Sequence, residues 1–395
     1  MDQFIRNAQD QALVDWVAGL AARLAENSAA YDDGGRFVDG QIRLLHKAGY
    51  SALTAPAEYG GRGASLYELL LAQERLAQGD AAAALVMGWH LGITQSLRDT
   101  QAWPDELYRA FCEQCAAQGA LVNSCATEPE TGSPSRGGRP STVATKADGG
   151  FVLRGHKTWA TGSPMLTHII VTAFVPELDR VGEFLILQGA PGLVLSESWD
   201  SMSMRGTGSH TFELRDVFVP DERALDFVAP GQKMRRSSDG GGWLLHIPAT
   251  YLGVANVARR YALQFAASHS PSSMQGKPIS TIAQVREKLG RIEVLRDTAR
   301  TLLYTTAARY DAAPTREQRQ GMRAELGLAK YAATNAAVDM VDLAMRVVGG
   351  NSLLRSTPLE RAYRDVRAGL HNPPMDDVTL NILAERALAS VAPEE

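Results

Sequence analysis

The sequence predicts a multi-domain α+β architecture: an N-terminal helical domain, a middle antiparallel β-barrel and a C-terminal four-helix bundle. Three observations point there. Apolar residues recur at helical spacing through the first part of the chain. Between Leu121 and Leu225 they fall into short runs rich in β-branched and aromatic residues, punctuated by Gly, Pro and Asp. From about Gly242 long helical stripes return. The expected domains are residues 1–120, 121–235 and 236–395.

The elements follow in order. Leu13, Trp16, Val17, Leu20 and Leu24 share one face of a first helix. A second runs from Gly35 to Lys47 and stops at Gly49. Residues 55–65 form a loop. Ser65 followed by Glu68 is a capping-box signature for a third helix, which ends near Gly79. Asp80 caps a fourth, to about Leu97, and Pro104 suits the first turn of a fifth. Strands are expected at 151–153, 169–175, 184–187, 193–195 and 217–219. The bundle begins with a helix from Leu244 to Ala267, bent at Pro248. Ile282, Val285, Leu289, Ile292, Leu295, Ala299 and Leu302 form the next stripe. A helix over 317–348 ends at Gly349-Gly350. Pro358 opens a shorter helix, and Asp376 or Asp377 starts the last. The first four of these make the bundle.

Composition narrows the function. The chain has 395 residues, 45% of them hydrophobic and 21% charged, enough to bury large cores. The charge is 40 − 44 = −4, which argues against a dedicated nucleic-acid binder. No apolar run reaches the ~18–20 residues that span a bilayer. No secretory leader is visible, and three cysteines make no disulfide framework, so a cytoplasmic enzyme is the expectation.

Common catalytic signatures are missing. GGRGAS at 60–65 follows no strand, as a dinucleotide fingerprint must. Cys112 and Cys115 form a lone CxxC with no further zinc ligands nearby. Of eight histidines, His90, in an apolar helix, and His371, in GLHNPPMDD, are the candidates for a site.

Three segments are more informative. CATEPETGSPSRGG at 125–138 gathers Thr127, Thr131, Ser133 and several backbone amides in one loop, able to bind a polar heterocycle or a phosphate. GHKTWATGS at 155–163 sets Trp159 beside hydroxyls, which suits stacking on a flat ring. MRGTGSHTFELRDVFVP at 204–220 is a turn followed by a strand.

Together these segments resemble the acyl-CoA dehydrogenase superfamily, in its order and over nearly the whole chain. PAEYGG (56–61), ATEPETGS (126–133), GHKTWATG (155–162), MQGKPISTIAQV (274–285), VVGGNS (347–352) and LERAYRDVR (359–367) carry the likeness with the 204–220 segment. The resemblance implies FAD between barrel and bundle, a small-molecule substrate such as an acyl-CoA, and a homotetramer or homodimer. It implies that Ala126, Thr127 and Ser133 contact the isoalloxazine or ribityl chain, and that Trp159 and Thr161 contact the ring. Gly349 and Gly350 would approach the adenosine part from a neighbouring subunit. The electron acceptor would be another flavoprotein, and the reaction α,β-dehydrogenation of an acyl-CoA thioester.

Departures from the pattern open an alternative. The family's glutamate base falls at Pro373, and its alternative place falls near Trp243. Asp376 and Asp377 are the nearest acids and candidates to replace it. The arginine that holds the flavin pyrophosphate aligns with Ser272. MRGTGS and His371 also look like the branch of monooxygenases that take reduced flavin, FMN included, from a reductase. In that branch histidines near His90 and His371 assist the oxygen chemistry, although its serine is Ala160 here. A flavin-binding homologue without turnover is the third reading. Arg136 and Arg139 are candidates for an acidic substrate tail.

Overall fold

The computed structural model describes residues 2–131 and 139–391. Five helices open the chain: α1 (Ala8–Gly34), α2 (Asp39–Lys47), α3 (Leu66–Leu76), α4 (Ala81–Thr100) and α5 (Asp105–Gln118). Their starts are chemically marked. The Asn7 side chain caps α1 and that of Asp80 caps α4. Ser65 and Glu68 form the anticipated capping box on α3. The second helix begins four residues later than expected, because Gly35 is left-handed and closes α1 instead.

Eight strands follow: β1 (Val122–Ser124), β2 (Val143–Ala147), β3 (Gly150–Ala160), β4 (His168–Val175), β5 (Arg180–Leu187), β6 (Leu193–Ser196), β7 (His210–Pro220) and β8 (Ala224–Val228). They form one sheet in the order β6-β7-β3-β2-β4-β5-β8, with β1 added beside β4. Pairing is antiparallel except where β1 and β2 meet β4. The register of β3 on β7 slips between Lys157 and Ala160, a bulge that matters below.

The last third is α6 (His246–Ser268), α7 (Ala283–Ala312), α8 (Arg316–Gly321), α9 (Arg323–Val348), α10 (Pro358–Val366) and α11 (Asp376–Ala389). Pro248 sits in the first turn of α6, where no intrahelical donor is lost. The stripe expected over 317–348 is two helices, because Met322 leaves helical geometry between α8 and α9. Two cores join the three regions. One packs α3 against the bundle through Leu66, Leu70, Tyr251 and Tyr304. The other packs α1 to α4 against the sheet through Leu24, Val86, Val171 and Phe184. Among the described residues, no helix is long and apolar enough to cross a membrane.

Candidate active site

Sheet, α4 and bundle enclose a cavity of ≈ 1050 Å³. That is at the upper end of small-molecule sites, which run to roughly 1,000 Å³. Its sheet wall starts at the β3 bulge. Trp159 sits there with φ 58, a left-handed conformation that costs a bulky residue strain of about 1–2 kcal/mol. The indole is 63% exposed and meets Trp199 edge-on at 5.1 Å; both line the cavity. A hydroxyl chain runs beside them: Thr161 Oγ1 lies 2.9 Å from Ser209 Oγ, which lies 2.8 Å from Thr207 Oγ1. Ala126 and Thr127 line the same wall, held to β3 by the bond from the Thr158 amide to the Thr127 carbonyl at 2.9 Å.

A buried ion pair locks this loop onto its strand. Lys157 Nζ donates to Glu128 Oε1 at 2.5 Å and to the Thr172 carbonyl at 2.6 Å. Glu128 also accepts from the amides of Ser141 and Thr142. Burial opposes its ionisation, but the Lys157 charge and these bonds prevail and bring its pKa down to about 2. Glu128 and Lys157 lie inside the two flavin-like motifs, yet their pairing is invisible in sequence because 29 residues separate them.

The helical wall is different. Trp89 and Trp243 line its apolar part, their rings 5.8 Å apart. Trp243 and Pro373 both line the cavity. His371 and Asn372 line it next to Pro373, and Asn372 is fixed by Tyr251 Oη at 2.7 Å. Among the described cavity residues the carboxylate is Glu183, and it is held by Arg236 at 3.0 Å. Against it stand Lys233, Arg236, Arg323, Lys330 and Arg367.

The sequence candidates therefore divide. Ala126, Thr127, Trp159, Thr161 and His371 come together around one cavity. His90 does not join them. It is buried, its Nε2 lies 2.7 Å from the Ser51 carbonyl, and its Nδ1 accepts from the Val122 amide at 3.2 Å. Burial pushes its pKa down to about 4, so it is a neutral bridge between α4 and β1. Asp376 lies behind the wall, bonded to Lys330 at 3.3 Å and to Asn335 at 2.9 Å. Gly349 and Gly350 are exposed at the far end of α9 and do not reach the cavity within one chain. Arg139 lies over the Phe174 ring at 4.5 Å, outside the cavity lining. Ser133 and Arg136 fall outside the described residues. Ser272 is exposed on the surface. Sequence reasoning missed Lys330, whose only signal is a lone cation inside an apolar helical run.

An indole platform, a hydroxyl row and a cavity of this size suit a flat, polar, redox-active heterocycle. Three-part fold and site define an oxidoreductase of the flavoprotein class. Family comparison agrees: the acyl-CoA dehydrogenase N-terminal, middle and C-terminal domains match residues 7–100, 123–217 and 245–388. The chain belongs to the acyl-CoA dehydrogenase family, whose members use FAD. It is 45% identical to YdbM of Bacillus subtilis (strain 168), provisionally named an acyl-CoA dehydrogenase, over 99% of this chain and 100% of that one. It is 29% identical to an L-evernosamine nitrososynthase of Micromonospora sp., covering 91% of this chain and 85% of that one. A nitrososynthase structure from Micromonospora carbonacea superposes with TM-score 0.84 at 26% identity, over 98% and 99% of the two chains. Butyryl-CoA dehydrogenase of Megasphaera elsdenii shares the fold, with TM-score 0.84, 21% identity and coverage of 97% and 98%.

Proposed function

We propose that this chain is a flavin-dependent oxidoreductase that oxidises a small substrate without a carboxylate base, in the manner of the reduced-flavin monooxygenase branch. One observation carries the reading: Trp243 and Pro373, near which the resemblance would put the usual glutamate, line the cavity as apolar residues, while Glu183 is committed to Arg236. The residues fit a flavin. Trp159 and Trp199 would flank the ring, and Thr127, Thr161 and Ser209 would hydrogen-bond its polar edge. A bound flavin supplies two-electron redox chemistry and, once reduced by a partner reductase, oxygen activation. The chain's own part is to exclude water with Trp89, Trp243 and Leu244, and to hold a proton at the His371 imidazole. Thr161 and Ser209 supply the hydroxyl donors that Ala160 cannot.

A second reading, dehydrogenation of an acyl-CoA with an electron-transferring flavoprotein as acceptor, draws support from the 45% identity to YdbM. One experiment separates them. Purified protein is loaded with FAD or FMN, and its visible band is followed during anaerobic addition of an acyl-CoA panel. It is then followed after chemical reduction and admission of oxygen. The proposal expects no bleaching by acyl-CoAs and an oxygen reaction that His371→Asn slows. Bleaching by any acyl-CoA would move the chain to the second reading.

A further inference from the structure

The wall opposite the indoles contains donors that nothing so far has used. Lys330 is fully buried and lines the cavity from α9. Its Nζ lies 3.3 Å from Asp376 Oδ1, at the long end for a charged hydrogen bond. An ammonium has three N–H donors, and among the described residues no second acceptor is found for this one. Asp376 is also shared, since Asn335 donates to its other oxygen at 2.9 Å. Thr379, one turn into α11, is 1% exposed and lines the same wall. Its Oγ1 is buried with no hydrogen-bond partner. Buried polar atoms are rarely left so, because an unmet hydroxyl has given up its hydrogen bonds to water for nothing. Thr379 packs against α9 at Gly327, three residues before Lys330, where the missing side chain leaves room for it.

The surroundings set the sign of the missing partner. Arg323 lies two turns from Lys330 on the same face of α9, and it lines the cavity with Lys233 and Arg367. Among the described residues none of these three has a carboxylate within salt-bridge distance. Arg323 also depresses the Lys233 pKa, second to burial, so the two cations repel across a shared space. Such a wall favours a ligand that brings negative charge and accepts hydrogen bonds.

We propose that Lys330 and Thr379 form a subsite for an oxyanion, carboxylate or phosphate, carried by a molecule that fills this cavity. The cofactor-phosphate source rests on the flavin reading; the substrate-carboxylate source does not.

The test is isothermal titration of wild type, Lys330→Met, Thr379→Val and the double variant Lys330→Met/Asp376→Asn. The double variant removes the ion pair as a unit, which guards against a stranded carboxylate. Each protein is titrated with two matched pairs: FMN against riboflavin, and glutaryl-CoA against butyryl-CoA. Losing a charged hydrogen bond weakens binding by roughly tenfold or more. If the oxyanion is the cofactor's, the variants lose that factor for FMN and not for riboflavin. If it is the substrate's, they lose it for glutaryl-CoA and not for butyryl-CoA. Folded variants that change neither ratio overturn the subsite. A wild type that binds no flavin overturns the flavin reading instead; the thioester pair then decides the subsite, and a wild type that binds glutaryl-CoA no more tightly than butyryl-CoA overturns it.

Discussion

The Glu128 carboxylate and the Lys157 ammonium lie 2.5 Å apart with neither side chain open to solvent, and this bond joins the loop of Ala126 and Thr127 to the strand of Trp159. The cavity's sheet wall is therefore held from behind by charge. Removing one partner leaves the other buried and unpaired, which costs roughly 3–5 kcal/mol. Lys157→Met is expected to lose about that much stability in denaturant unfolding, and to lose flavin binding with it. Glu128→Gln/Lys157→Met, which strands no charge, is expected to recover most of the stability.

The same pair predicts acid sensitivity. Glu128 has a folded pKa of about 2 against an ordinary 4.5. A lowered carboxylate pKa adds stability above about 4.5, and that contribution is lost as pH falls towards 2. Stability is expected to fall more steeply for wild type than for the double variant as pH is lowered from about 6 to about 2.

Asp365 predicts the opposite trend. It accepts from the Met204 amide at 2.7 Å and so ties α10 to the turn that lines the cavity. Burial, reinforced by nearby Asp32, raises its pKa from 3.8 to about 7 despite that hydrogen bond. A raised carboxylate pKa gives stability that is complete below 3.8 and is lost as pH rises through about 7. Asp365→Asn keeps an acceptor oxygen without the charge. Its unfolding midpoint is expected to be flat over that window and higher than wild type at alkaline pH.

Trp159 separates binding from folding. Its indole is mostly exposed and its backbone is left-handed, so Trp159→Gly relieves strain of about 1 kcal/mol and gives up little packing. The expected result is an unchanged or raised melting temperature with flavin affinity lowered at least about tenfold, the scale of a lost aromatic contact. A fall in both would show that the indole is part of the core.

Gly88 tests the packing behind Trp89. A Cβ there would run into His246 Nδ1 and Gln73 Nε2. His246 is wholly buried, and burial pushes its pKa down to about 3. Gln73 is fixed between Tyr50 and the Ala84 carbonyl. Neither can retreat cheaply, so Gly88→Ala is expected to destabilise by roughly 1–3 kcal/mol in thermal unfolding.

Much of this molecule is local in origin. Helical stripes such as Leu13 to Leu24, the Ser65–Glu68 box and the Asp80 cap each act within a few residues, so the sequence alone determines them. The same holds for the three-part order and for the motif segments that place Thr127, Trp159 and Thr161. What a side chain meets across the fold was not legible. His90 and His371 are both lone histidines in sequence, yet one is used up between two backbone groups and the other faces the cavity. Asp376 reads as an available acid, and only tertiary packing assigns it to Lys330. Lys330 itself reads as one more helical lysine, because periodicity records which face a residue occupies but not what lies opposite. Contacts between residues far apart in sequence are set by how α4, the sheet and the bundle dock together. The charge balance of the cavity was therefore decided by the tertiary structure, while its elements and most of its sheet wall were decided by the sequence.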